Sequence, residues 1–450
     1  MKRKILAGLI LAALLLGGCS AQRGGSEAVL KENSAGQPEA AAPVIDEKSG
    51  KIRLTLAGIR MDDTGWRALA DGFNAQSEQY VVELRDYSAG AADMPAAPDQ
   101  LRQELADAET RLNTELTAGN LPDMLAFDWL SPLPYIGKEL LLDLDPYAQA
   151  GGVLNKESVL CWDALHEYGG LYLMAQRFYV DTLSCTQEFY EAHRGWTIAD
   201  YLEIEKALPE GRQMIYTMSP ELFLTQMGGR YLSRALDLAH ASCDFDNADF
   251  IGILDAALRA GEYALSEEAE TSTAKQMESG RLMCCADWLD GPEKIAIDRN
   301  DGGARLAYIG WPTTDGSCGS TANLRGVIGA LAQSPCPEGC WEFIQYTVTH
   351  GTDAVYSGFG SPVYLPLVYE AAAEWNADPL LIPELQISQD DLDAYLDAVN
   401  AAPVMGFVDE SVMEIIQMEC APMLQGESTP EETAARIQSR VSLYMAEQYD

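Results

Sequence analysis

The chain has 450 residues, enough for two domains with sizeable cores, and sets 30 Lys plus Arg against 69 Asp plus Glu, a formal net charge of −39. A surface this acidic repels phosphate backbones and anionic headgroups, which excludes nucleic acid as a partner and suits solubility on a cell exterior.

Lys2, Arg3 and Lys4 precede an apolar run at residues 5–16. That is the layout of a secretory signal, with an apolar stretch too short to span a bilayer. The run ends in Leu16-Gly17-Gly18-Cys19, which resembles the bacterial lipobox, where the Cys accepts a diacylglyceryl group and becomes the mature N-terminus. An ordinary cleaved signal with a chance Cys is the rival reading, and small residues directly before a Cys at this place favour the lipobox. Residues 1–19 are thus expected to be a lipoprotein signal peptide, and Cys19 to hold the protein at the extracytoplasmic face of the cell membrane. Residues 20–50 are rich in Ala, Gly, Ser, Glu and Pro and lack apolar periodicity, as a flexible tether does.

Folded structure is expected from about Lys51. Ile52, Leu54 and Leu56 alternate as a strand does, and a helix from about Gly65 puts Trp66, Leu69, Ala70 and Phe73 on one face. Residues 80–84 read as a second strand, giving a strand-helix-strand unit. Leu101, Leu105, Ala108, Leu112 and Leu116 keep helical spacing up to Gly119, and residues 122–127 form a short buried strand followed by Asp128 and Trp129. Further on, residues 170–175 and 281–286 read as strands and 198–208 and 250–258 as helices. This alternation predicts an α/β fold with helices covering a mostly parallel sheet. Thr429-Pro430-Glu431-Glu432 caps a last helix whose apolar face is Ala434, Ile437, Val441 and Tyr444.

With Cys19 lipidated, an odd number of the ten cysteines remains, including the adjacent Cys284 and Cys285 in apolar company. They read as small buried hydrophobes with few disulfides or none. Cys336 and Cys340 have the spacing of a metal or redox pair, but no nearby His or second pair completes a site, so neither metal nor cofactor is expected.

Thr117-Ala-Gly-Asn-Leu-Pro-Asp-Met-Leu-Ala-Phe-Asp-Trp129 and Gly137-Lys-Glu-Leu-Leu-Leu-Asp-Leu-Asp-Pro-Tyr147 resemble the family 1 extracellular solute-binding proteins, the maltose-binding-like group. Gly169-Gly170-Leu171-Tyr172, Cys243-Asp244-Phe245-Asp246, Gly310-Trp311-Pro312 with Asp315-Gly316, and Trp341-Glu342-Phe343-Ile344 match further motifs in the family's order. Two places depart from it: Asp181-Thr182-Leu183 replaces a Tyr-Asn after the hinge strand, and the turn before Trp196 is reduced to Arg194-Gly195. The resemblance implies two Rossmann-like lobes joined by hinge crossings, a periplasmic-binding-protein type 2-like fold. Lobe I would comprise residues 51–172 and 310–357, and lobe II residues 173–309 and 358–450. It also implies a monomer that captures a small polar solute, a mono- or oligosaccharide, and passes it to the permease subunits of an ABC importer.

Sugar sites need flat apolar surfaces for the C–H faces of a pyranose and planar polar groups for its hydroxyls. Candidates must follow strands, because open α/β sheets bind ligands beyond the carboxyl ends of their strands. Arg60 and Asp62 follow the first strand, Asp128 and Trp129 the strand at 122–127, Asp287 and Trp288 the strand at 281–286, and Trp311 a strand at 306–309. Against each stands a plain structural role, as a packing indole or a solvated loop charge. Trp66, Trp162, Trp196 and Trp341 are assigned to the core.

Catalytic motifs are missing, His166, His193, His240 and His350 are scattered, and acid pairs such as Asp390 and Asp391 read as a solvated helix start. An enzyme is therefore not expected. The alternatives to transport are a ligand-loaded sensor module for a membrane signalling partner, and the same scaffold binding a non-sugar solute.

Overall fold

The computed structural model describes residues 42–61, 65–88, 98–216, 219–259, 273–302, 306–351, 360–402, 404–405 and 409–449. The expected signal peptide with Cys19, most of the expected tether, and Asp62 lie outside the described residues. Ordered structure starts before the expected Lys51, because β1 (Val44–Ile45) pairs antiparallel with the start of β2 (Ile52–Gly58).

The first sheet is built on β2. β3 (Tyr80–Asp86) and β4 (Met124–Ala126) pair with it in parallel, and β12 (Ile328–Ala330) joins β4 antiparallel. Leu54 and Leu56 are fully enclosed, and the helix Trp66–Gln76 lays Trp66, Leu69, Ala70 and Phe73 into the core, the face that its spacing predicts. Phe73 packs edge-on against Phe343 of the helix Pro337–His350, with centroids 5.1 Å apart.

The second sheet is built on β5 (Arg177–Cys185). Its order is β14 (Val404–Met405), β11 (Thr321–Arg325), β5, β9 (Leu282–Leu289) and β6 (Gln213–Tyr216), and β10 (Ala307–Tyr308) and β13 (Ser361–Pro362) also pair with β5. A separate ribbon joins β7 (Leu236–Asp237) to β8 (Ser242–Cys243). The helices Ile198–Ala207, Pro220–Ala235, Ala248–Arg259, Glu410–Leu424 and Pro430–Tyr449 enclose a second core around Phe223, Phe245, Phe250 and Ile437. Thr429 and Glu432 cap the last of these reciprocally, each backbone N–H donating to the other's side chain at 3.2 Å.

The expectation of mostly parallel sheets is corrected. β5 runs antiparallel to β9, β10, β11 and β13, and β12 antiparallel to β4. The chain reaches β5, β12 and β13 from the opposite lobe, so the direction of these three is not set by a covering-helix crossover. One crossing runs from Met174, bridged to Ile328 on the first sheet, into β5 at Arg177. A second leaves β11 at Arg325 and enters the first sheet at Val327, whose carbonyl accepts from the Phe127 N–H at 2.9 Å. A third joins the helix Pro337–His350 to β13.

One expected lobe boundary shifts accordingly. The return to the first lobe begins at Val327 rather than at 310, because β11 belongs to the second sheet. Within 358–450, Val368, Leu392, Tyr395 and Val399 share a core with Val159 and Leu160 and also with Phe178 and Val180 of β5, whereas 410–449 packs in the core around Phe223.

Asp391 is also corrected: it is fully buried rather than solvated. Its carboxylate accepts from the Ser388 hydroxyl at 2.7 Å and from Arg299 Nη2 at 3.1 Å. Asp391→Ala removes one half of the Ser388 capping box and leaves Arg299 without its carboxylate partner, an expected loss of about 2 kcal/mol in urea unfolding. The exposed neighbour Asp390→Ala should change stability by no more than about 0.5 kcal/mol.

Candidate functional site

Strand alternation gives the second sheet two unlike faces. Phe178, Val180 and Thr182 of β5 are buried, and Arg177, Tyr179 and Asp181 point the other way. Cross-strand register adds Trp288 of β9 opposite Asp181, and Thr321, Asn323 and Arg325 of β11 opposite Asp181, Tyr179 and Arg177. Residues paired across a sheet share a face, so cations, aromatics and a carboxylate are collected on one side beside the crossings. Trp288 retains 52 % of its surface there, edge-on to Tyr179 with centroids 6.4 Å apart.

Asp181 is the best-anchored acid of this face. It pairs with Arg230 of the helix Pro220–Ala235 and accepts from Trp311 Nε1 at 3.4 Å. The Arg230 guanidinium lies over the Trp311 ring, 4.3 Å from its centroid. Burial raises the Asp181 carboxyl against the opposing pull of Arg230, and burial lowers Arg230 against that of Asp181. Desolvation outweighs attraction in both partners, so the pair fixes geometry more than it stabilises the fold. Beside it, Arg230, Arg234, Met227, Trp311, Thr313 and Thr321 line a small pocket that opens to solvent.

From the first lobe, Asp128 follows β4 as expected. It accepts from Trp66 Nε1 at 2.6 Å and from the Gly326 N–H at 3.0 Å, tying β4 to the second crossing. Gly326 has φ 61°, and a Cβ there would sit 2.7 Å from Gln176 Cδ, so only glycine fits. Asp128 keeps some exposed surface but lies deep enough that desolvation pushes its carboxyl up to about 6, against its hydrogen bonds to Trp66 and Gly326 and the charge of Arg325. Trp129 is half-buried against the first core, and its buried indole N–H has no hydrogen-bond partner among the described residues.

The remaining candidates are placed differently from the expectation. Trp288 lies within β9 rather than after it, since the strand runs on to Leu289. Asp287, one residue earlier, points to the opposite face, where Lys294 holds it at 3.1 Å together with Asp298. Trp311 is 1 % exposed, part of the second core, and donates to Asp181 of the open face. Arg60 is buried in a left-handed turn and pairs with Glu104 at 3.2 Å. Tyr179, Asp181, Arg230, Asn323 and Arg325 are absent from the candidates drawn from sequence. The alternation Arg177-Phe178-Tyr179-Val180-Asp181 is the signal that marks the first two.

Among the described residues no group of His, Cys, Asp and Glu could hold a metal ion, and no helix is long and apolar enough to cross a membrane. Two mixed sheets with covering helices, chain crossings between them and a polar-aromatic face beside the crossings define a two-lobed α/β binding-protein fold. That fold is shared with an extracellular solute-binding protein of family 1 from Alicyclobacillus acidocaldarius, at TM-score 0.50 and 15% identity over 88% of this chain and 98% of that one. The sugar-binding protein MalE of Xanthomonas citri is similar too, at TM-score 0.51 and 13% identity with the same coverage of both chains. No protein-family model and no curated protein matches the sequence. At these identities the likeness is one of fold.

The raised Asp128 carboxyl fixes the sign of a pH effect. Between its ordinary value of 3.8 and about 6 the folded protein binds the extra proton, so stability from this group is full below that window and falls as pH rises through it. Melting of the wild type relative to Asp128→Asn should therefore worsen from about pH 4 to about pH 6 and level off above. A constant difference across that range would show that the carboxyl titrates normally.

Proposed function

We propose that this protein is a lipid-anchored, extracytoplasmic solute-binding protein that captures a small polar solute of the carbohydrate class and delivers it to the permease of an ABC importer. The observation that carries this reading is the half-exposed Trp288 set beside Tyr179 and the anchored Asp181 carboxylate, on one sheet face next to the crossings. An indole offers the flat apolar surface that a pyranose stacks on, and a fixed carboxylate accepts from its hydroxyls. The fold shared with a sugar-binding protein supports the assignment by analogy. Solute joining the lobes would favour a closed form through contacts made only when both are present, and the permease would recognise that form. The Leu16 to Cys19 motif supports anchoring by lipid. No catalytic constellation was found in the sequence, so the solute should leave the site chemically unchanged.

A melting screen of purified protein against mono- and oligosaccharides tests the reading, since a solute at about 100 times its Kd stabilises by roughly 2.7 kcal/mol. With a solute identified, Trp288→Ala should weaken calorimetric affinity by about 1–3 kcal/mol. Because half of the ring is already exposed, apo stability should fall far less than the roughly 3–5 kcal/mol of a core Trp→Ala. Unchanged affinity with a large loss of apo stability would make Trp288 a structural residue. Anchoring has its own test: Cys19→Ala should abolish acyl labelling and release the protein or leave its precursor uncleaved, and persistent acylation would reject the lipobox.

A further inference from the structure

Arg325 ends β11 opposite Arg177, on the open face of the second sheet. Its guanidinium lies 5.2 Å from the Tyr179 ring centroid, on the ring that also borders Trp288. Its hydrogen bonds are to neutral groups and long, at 3.4 Å to the Tyr179 hydroxyl and 3.4 Å to the Leu324 carbonyl. Among the described residues it forms no ion pair with a carboxylate. In a chain with 69 acids against 30 bases that is notable, since Arg60, Arg230, Arg234, Arg259 and Arg299 each hold one. The acids around it are already engaged: Asp128 accepts from Trp66 and Gly326, and Asp181 pairs with Arg230 and Trp311.

A guanidinium presents a rigid planar set of donors that matches a carboxylate in two parallel hydrogen bonds, and an aromatic ring beneath it holds the plane in place. We propose that the site takes an acidic sugar of the uronate type, its pyranose ring against Trp288 and its carboxylate in the Arg325 fork. Both groups flank the Tyr179 ring, a separation within reach of a mono- or disaccharide. The overall charge of −39 repels such a ligand at long range, so recognition rests on this local cation. The assignment depends on the sugar-binding reading above and narrows it.

Calorimetric titration of the full chain with mono- and disaccharides of galacturonic and glucuronic acid, their methyl esters and the parent neutral sugars tests it. The ester removes the charge and keeps the ring, so the wild-type protein should prefer the acid by about tenfold or more. In Arg325→Gln that preference should collapse to within about threefold, and Arg325→Lys, which keeps the charge but not the fork, should restore only part of it. Equal binding of acid and ester, or a preference untouched by Arg325→Gln, overturns the acidic-ligand assignment. Binding of neutral sugars alone overturns it too and leaves the sugar-binding reading standing. No binding by any saccharide sinks both.

Discussion

Every backbone N–H and C=O of a strand in the middle of a sheet needs a partner, and in this protein that requirement falls most heavily on β5. Its edges are each completed by two strands. β9 pairs along residues 180–185 and β13 at 177–178 on one edge, while β11 pairs along 177–181 and β10 at 184–185 on the other. The strand cannot slip by one residue without turning Phe178 and Val180 outward and Arg177, Tyr179 and Asp181 into the core. Register at this strand therefore decides where the site is. The Gly360 carbonyl, which accepts from Arg177 Nε at 2.9 Å, brings the third crossing to the same place.

The crossings also tie the first lobe to that face. Trp66 opens the helix after β2, Asp128 ends β4, Gly326 sits in the second crossing, and Arg325 is the residue before it. Two hydrogen bonds on one carboxylate thus link a core indole of the first lobe to the backbone that positions Arg325. Gln176 lies in the first crossing, 1 % exposed, with neither amide atom hydrogen-bonded to any of the described residues. Buried polar groups of this kind carry a penalty that packed cores avoid, and such departures from local economy are expected where backbone must change direction between lobes.

Helices were legible in the sequence where an amphipathic stripe, joined at Thr429 by a capping pattern, does not depend on the rest of the chain. Trp66–Gln76 and Pro430–Tyr449 are examples. Strand direction was not, since whether β12 runs with or against β4 is decided by a crossing some 200 residues away. Asp391 looked like a solvated helix start because an acid at a helix N-terminus reads the same whether water or Arg299 faces it. Asp181 stood out only as a departure from the Tyr-Asn of the resembling family. Its partners Arg230 and Trp311 come from a helix and a loop far along the chain, and no local pattern announces their meeting.

Trp288 and Trp311 show why residue type and nearness to a strand are not enough. Both were drawn from sequence as indoles following strands, yet one is 52 % exposed and the other 1 %. β10 is only two residues long and delivers Trp311 into the second core. There Gly319 approaches so closely that a Cβ would lie 1.9 Å from the Trp311 carbonyl oxygen. β9 instead continues through Trp288, and alternation turns its ring outward while Leu289 is buried. A buried indole N–H needs an acceptor, and Trp311 finds it in Asp181. Together with the Arg230 guanidinium over its ring, Trp311 holds that carboxylate in line with Trp288, its neighbour across the β5–β9 ladder. The enclosed tryptophan thus acts on the site through the acid it positions, and the open one presents the surface on which a ligand can rest.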